Sequence, residues 1–363
     1  MKSITWSTPY RFSPAEHEQE LSAIIREIET VEELDRSTLD RILRKYPKGG
    51  KGFFSKSEII QGYRHLRGEW KSPDPFIERV RMKPVRTLSG VAPVTVLTQP
   101  YPCPGECIFC PNDVRMPKSY LSREPGAQRA AHHQFDPYRQ TFSRLRALRQ
   151  MGHGIDKVEL IILGGTWSSY PESYQLWFLR RCFEAMNDFG NGEGGLAGDS
   201  VPPRIDFRKL ASQGNGRFTT NPYNQVVADF LKSEGWDRWA EDRQSATWEE
   251  LARAQRENEH GTVRNVGLSV ETRPDHLSEE EVGMIRRQGA TKVQIGYQSL
   301  SDDVLRLNRR GHDVAATRRA MRLLRHAGFK IQAHWMPNLY GSSPQEDIED
   351  FDRIFSEPDF RPD

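Results

Sequence analysis

The chain has 363 residues, 36% hydrophobic and 28% charged, with a formal net charge of +2. That length suffices for one large domain or two ordinary ones, with a core under a heavily solvated surface. No apolar run approaches the roughly 18 residues a membrane-spanning helix needs, and the N-terminal stretch lacks an apolar leader region, so a cytoplasmic protein without membrane contact is expected.

Charge is unevenly spread: residues 16–35 hold eight acidic side chains and one Arg, whereas residues 36–90 hold 14 Lys/Arg and five Asp/Glu. Leu21, Ile24, Ile25 and Ile28 recur at helical spacing. "TLDRILRKYP" predicts a second helix stopped by Pro47, and a Gly-rich basic loop leads into a third. Residues 1–80 therefore predict a small helical basic module.

The texture changes at "VAPVTVLT" (91–98), a β-branched strand followed by a loop carrying three of the four cysteines. A helix over 138–152, a buried strand "KVELIIL" (157–163) and a helix over 173–189 come next. Strands are predicted again at 263–270, at "KVQIGYQ" and at "FKIQAHWM", each followed by a helix. Five strands alternating with helices between 91 and 356 indicate a parallel α/β fold, either a barrel or a doubly wound sheet. "GNGEGGLAGDSVPP" (190–203) predicts a loop, and 190–260 an insertion with some helix on the rim of that fold.

Cys103, Cys107 and Cys110 form CxxxCxxC within "CPGECIFC". Such a cluster suits a metal or redox site in a reducing compartment better than a disulfide framework. Structural zinc wants four protein ligands. The remaining Cys182 falls on an apolar helix face beside Trp177, Phe178 and Phe183, where it reads as a core residue. Three thiolates leave one position open, which an iron–sulfur cluster tolerates and can offer to a ligand. In βα folds the loops after the strands build the active site. Pro102, Pro104 and Gly105 suit a tight loop there, and the second strand ends in Gly164-Gly165-Thr166, where backbone can approach a ligand. The third strand ends at Glu271 and Arg273, the fourth at Gln298, the fifth at "HWMPNLYG". Any one of these taken alone also reads as a surface ion pair or a turn residue. His132 and His133 are adjacent and match no ligand pattern.

CxxxCxxC after a first barrel strand is the motif of the radical S-adenosylmethionine (SAM) enzymes, with Phe109 at its usual aromatic position. "KPVRTLSGVAPVTVLTQPYPCPGECIFCP", "FDPYRQTFSRLRALRQMGH", "DKVELIILGGTW", "VGLSVETRPD", "VQIGYQSLSDDVLRLNRRGHD" and "AHWMPN" together resemble the catalytic subunit of Elongator and its standalone relatives, over roughly residues 75–363. The resemblance implies a partial (β/α)6 radical SAM barrel over 81–363, preceded by a tRNA-binding module. It implies a [4Fe-4S] cluster on Cys103, Cys107 and Cys110, with SAM met by Gly164, Gly165, Thr166, Glu271, Arg273 and Gln298. Reductive cleavage of SAM would give a 5′-deoxyadenosyl radical that activates acetyl-CoA for addition to carbon-5 of the tRNA wobble uridine. The tRNA anticodon stem-loop would meet Lys83, Arg86, Arg309 and Arg310, with His312 beside them, and bases would stack on Phe53, Tyr63 or Tyr120. An external electron donor is implied, with Elongator-like subunits or a homodimer as further partners.

Three departures stand out. "CPND" (Asn112, Asp113) replaces the family's "CPGG", "MPNLYG" replaces "MPGLPG", and the sequence stops at Asp363. The last implies that a sixth strand and an acetyltransferase-like domain are missing, leaving this chain alone incomplete for acetyl-CoA and one strand edge exposed. Two competing readings are a radical SAM enzyme acting on another substrate and a catalytically incomplete iron–sulfur scaffold that binds tRNA. Methylthio transfer would need a second cysteine set, which the sequence lacks.

Overall fold

The computed structural model describes residues 12–68, 74–195, 223–236 and 243–363. It divides into two compact units. One comprises the described part of Met1–Ala92 with Leu145–Asp156, the other Pro93–Arg144 with Lys157–Asp363. The first unit thus extends past residue 80 and takes in a second stretch of chain.

In the first unit, α1 (Glu18–Thr30) buries Leu21, Ile24, Ile25 and Ile28, the stripe its spacing predicts. It meets Leu39 and Ile42 of α2 (Arg36–Lys45) and Ile59 and Ile60 of α3 (Lys56–Arg67) in one core. Asp35 caps α2 through Thr38 N at 2.7 Å, and Ser55 with Glu58 forms a capping box on α3. A short α4 (Pro75–Val80) completes the set. Tyr63 stacks on Phe76 with ring centroids 4.3 Å apart, so one face of that ring is already covered.

In the second unit five strands form one sheet in chain order: β1 (Ala92–Leu97), β2 (Lys157–Leu163), β3 (Arg264–Thr272), β4 (Lys292–Gln298) and β5 (Lys330–Trp335). β2–β3, β3–β4 and β4–β5 pair in parallel. A doubly wound sheet reverses its order at a switch point, whereas sequential order is that of a barrel. The strands are legible because Val94, Val96, Leu160, Val270, Val293 and Ile295 are fully buried. After β1 come α5 (Pro125–His132) and α6 (Pro137–Gln150); after β2, α7 (Glu172–Asn191), α8 (Tyr223–Ser233) and α9 (Trp248–Glu259). Next come α10 (Glu279–Arg287), then α11 (Asp302–Leu307) and α12 (Val314–His326), and last α13 (Pro344–Ser356). The parallel α/β architecture is the one expected.

Helix α7 runs two residues into the predicted loop and stops at Gly192, whose left-handed φ of 74° provides its C-cap. Residues 196–222 and 237–242 of the expected insertion lie outside the described residues. Beyond α13 the chain returns to the sheet: Tyr297 OH on β4 donates to Phe360 O at 2.7 Å, and Asp363 N donates to Ile331 O on β5 at 3.0 Å. Among the described residues no helix is long and apolar enough to cross a membrane.

One buried carboxylate fixes the loop after β4. Asp350 on α13 accepts from Ser299 Oγ at 2.6 Å and from Leu300 N at 2.8 Å. Asp350→Ala leaves both donors unpaired and is expected to cost about 1–3 kcal/mol. Urea denaturation checks this; a midpoint equal to wild type would show the loop holds without it.

Candidate active site

The loop after β1 brings the three predicted cysteines to the C-terminal end of the sheet. Cys103 N donates to Asn224 Oδ1 at 2.8 Å, Gly105 N approaches Cys103 Sγ at 3.5 Å, and Cys110 N donates to Cys107 O at 3.2 Å in a turn. Each sulfur has its own polar neighbour. Cys103 Sγ lies 3.8 Å from Thr166 Oγ1 and Cys110 Sγ 3.4 Å from Ser119 Oγ. Cys107 Sγ accepts from Arg310 Nη1 at 3.4 Å and Arg273 Nη1 at 3.7 Å. The Cys110 thiol as donor, with the guanidiniums of Arg310 and Arg273, holds the buried Cys107 thiol down to about 5 against the effect of burial. Cys110 is correspondingly pushed up, first by its bond to Cys107 and then by burial.

Gly105 is required by a close approach: a Cβ there would lie 1.9 Å from Arg273 Nη1. Among the described residues no group of three His, Cys, Asp or Glu is gathered around a point fit for one metal ion. A zinc ion would draw its thiolates to about 2.3 Å from a single centre, whereas an iron–sulfur cluster distributes them over separate irons. Three thiols on one loop, with two guanidiniums beside Cys107, fit such a cluster with one iron left open. Cys182 lies elsewhere, buried on α7 with its thiol pushed up to about 12 by burial.

The other strand ends converge on the same face. After β2, Gly164 and Gly165 both have positive φ, 144° and 95°. A Cβ on Gly164 would meet Thr98 Oγ1 at 1.7 Å, so packing demands glycine there. Tyr170, buried behind this turn, donates to Gln99 O at 2.8 Å and lies 2.8 Å from Thr98 Oγ1. Glu271, next to the last residue of β3, accepts from Tyr120 OH at 2.8 Å. Burial pushes its carboxyl above the ordinary 4.5, and the tyrosine opposes that shift. His334 Nδ1 stands 3.8 Å from the other carboxylate oxygen, and burial lowers the affinity of that imidazole for a proton. Arg273 holds Asp275 with two bonds, at 3.0 and 2.8 Å, and donates to Arg310 O. Gln298 ends β4 with φ of 69°, and its Oε1 has no hydrogen-bond partner among the described residues.

Arg310 corrects an expectation. It is 7% exposed, with Nη2 on Gly296 O at 3.0 Å and Nη1 on Cys107, so it faces the cysteine loop rather than a polynucleotide backbone. Its neighbour Arg309 is exposed, with φ of 52°, and lines a cleft of about 920 Å³ with Pro104, Glu106, Arg306, His312 and Arg319. In the first unit Lys83 and Phe53 are exposed and Arg86 is half-buried. Tyr120 is spent on Glu271. The "CPND" departure also has a reason. Asp113, 3% exposed, accepts from Arg115 Nε at 2.7 Å and Ser122 N at 3.1 Å, and Asn112 Oδ1 accepts from Lys118 Nζ at 3.0 Å. These bonds fold the loop that carries Ser119 and Tyr120. Sequence reading missed Tyr120 as a partner of Glu271 and Asn224 as a partner of Cys103. Neither lies on a periodic element near its partner; only the polar texture of "KSY" and "YNQ" marks them.

The radical SAM superfamily matches residues 241–355. The chain is 36% identical over 353 residues to a tRNA uridine(34) acetyltransferase of Methanocaldococcus infernus, spanning 94% of this chain and 54% of that protein. Against Elongator complex protein 3 of Homo sapiens it is 30% identical over 299 residues, 79% of this chain and 44% of that one. Among solved structures, the archaeal Methanocaldococcus infernus Elp3 with an N-terminus deletion (1–46) aligns at 31% identity with a TM-score of 0.50, over 76% of this chain and 44% of that chain. The chain spans about half the length of the curated relatives it matches.

Because the folded pKa of Glu271 lies above its ordinary value, stability is lost as pH rises through it. Tyr120→Phe removes a donor to the ionised form. The Glu271 titration, followed by carboxyl NMR, should move further upward, and stability should fall more at neutral than at acid pH. An unmoved titration would show that the hydroxyl does not support the charge.

Proposed function

The chain belongs to the radical SAM family of the Elongator catalytic subunit, and on that premise we propose that it carries the radical-generating half of a tRNA wobble-uridine carboxymethyl synthase. The observation that carries this reading is the convergence of Cys103, Cys107 and Cys110 with Gly164-Gly165-Thr166, Glu271, Arg273 and Gln298 at one end of a sequentially ordered parallel sheet. Cys103, Cys107 and Cys110 would hold a [4Fe-4S] cluster through three of its irons. Together with SAM, such a cluster would supply one-electron chemistry capable of generating a carbon radical for the activation of acetyl-CoA.

The protein's own contribution is placement. The Gly164-Gly165 turn and the Glu271 carboxylate offer acceptors for the SAM ammonium group. Arg310 and Arg273 offset the negative charge that gathers on Cys107, and the unpartnered Gln298 Oε1 offers a further acceptor on the same face. The apolar strands beneath keep water from a reactive radical. Lys83, Arg86 and Arg309 are assigned to tRNA phosphates, which fix position rather than sequence. Acetyl-CoA as co-substrate, an external electron donor and Elongator-like partners belong to this proposal as well.

Anaerobic reconstitution with iron and sulfide, followed by assay for 5′-deoxyadenosine, tests it. Wild type and Cys182→Ala should cleave SAM; alanine at Cys103, Cys107 or Cys110 should abolish cleavage. Cleavage surviving loss of any one of the three overturns the assignment. For tRNA, Lys83→Ala and Arg309→Ala should each weaken binding and lower the slope of log affinity against log salt by about 1. An unchanged slope removes that residue from the interface.

A further inference from the structure

Helix α8 lies in the segment that interrupts the βα alternation, about 120 residues after the cysteine loop, yet its first turn is bonded to that loop. Asn224 uses both ends of its amide: Oδ1 accepts from Cys103 N at 2.8 Å, and Nδ2 reaches Gly105 O at 3.5 Å. The neighbouring Tyr223 is 2% exposed and donates to Met116 O at 2.7 Å. Lys118 Nζ sits 4.7 Å from the centre of its ring. Past the end of the helix, Trp236 packs on Tyr101 with centroids 5.4 Å apart. Its indole N–H is held by Gln244, which in turn bonds Gln99. Val227, Phe230 and Leu231 anchor the helix in the core.

We infer that α8 is a clasp that positions the cluster-binding loop, with Asn224 as the positioning residue for Cys103. This rests on the cluster reading above. The loop 99–118 has no regular backbone pairing to a neighbouring strand, so its shape depends on side-chain bonds of this kind. Asn224 also takes the Cys103 N–H away from sulfur. Backbone N–H groups that donate to sulfur are among the features that set a cluster's potential. Helix α8 would therefore govern both how firmly the cluster is retained and where its potential lies. Partners one bond removed from a metal ligand typically cost about 10–100-fold in metal affinity when lost.

The test uses the full chain, reconstituted anaerobically. Two readouts are taken: the rate at which a chelator bleaches the visible absorption, and the midpoint potential from a redox titration followed by electron paramagnetic resonance. Asn224→Ala should lose iron about 10-fold faster than wild type. Asn224→Asp keeps the acceptor for Cys103 N–H and should restore retention, while its added negative charge lowers the midpoint potential. If Asn224→Ala does not fold, as judged by thermal melting, Tyr223→Phe removes only the bond to Met116 and should also speed iron loss. Wild-type retention and potential in Asn224→Ala, or in Tyr223→Phe where that variant is needed, would overturn the clasp while leaving the cluster reading intact. A wild-type chain that takes up no iron would overturn both.

Discussion

A guanidinium buried beside a cysteine sulfur is the interaction on which the site depends. Arg273 is 3% exposed, and an unpaired charge at that depth would cost several kcal/mol. Asp275, Arg310 O and Cys107 Sγ satisfy it together, and they come from three different loops. Satisfying one cation therefore fixes the spacing of the loops after β1, β3 and β4. The same requirement explains Gly105, where a Cβ would collide with the guanidinium.

Sequential strand order makes this economy available. With β2 to β5 paired in parallel and neighbours in space also neighbours in sequence, the loops after these strands project from the same end of the sheet. Single side-chain hydrogen bonds then suffice to connect them: Thr98 to Tyr170, Tyr120 to Glu271, Ser168 to Thr272. The helical unit built on Ile24, Ile42 and Ile59 is a separate core and takes no part in these bonds.

What the sequence revealed follows from the range of the forces involved. Strands were legible because fully buried β-branched runs are bounded by turn residues, and the cysteines because three thiols in eight residues have few other uses. Helix α1 was legible from four aliphatic residues at one spacing. Arg310 was misread because an arginine is exposed by default, and its burial depends on a sulfur 203 residues away in sequence. Asn224 was unreadable for the same reason at a separation of 121. Gly164 was legible as a glycine with a purpose, but the hydroxyl of Thr98 that requires it was not.

Those long separations have a consequence during synthesis. A ribosome adding about 5–20 residues per second needs roughly 10–40 s to travel from Cys107 to Arg310. For that interval the cysteines would have emerged without the cation that balances Cys107, and for part of it without the helix that grips Cys103. Iron delivered to a nascent chain would meet an unshaped loop. On the cluster proposed above, assembly is therefore better timed after the chain through Arg310 has emerged, and the interval before it is when these thiols are most open to oxidation.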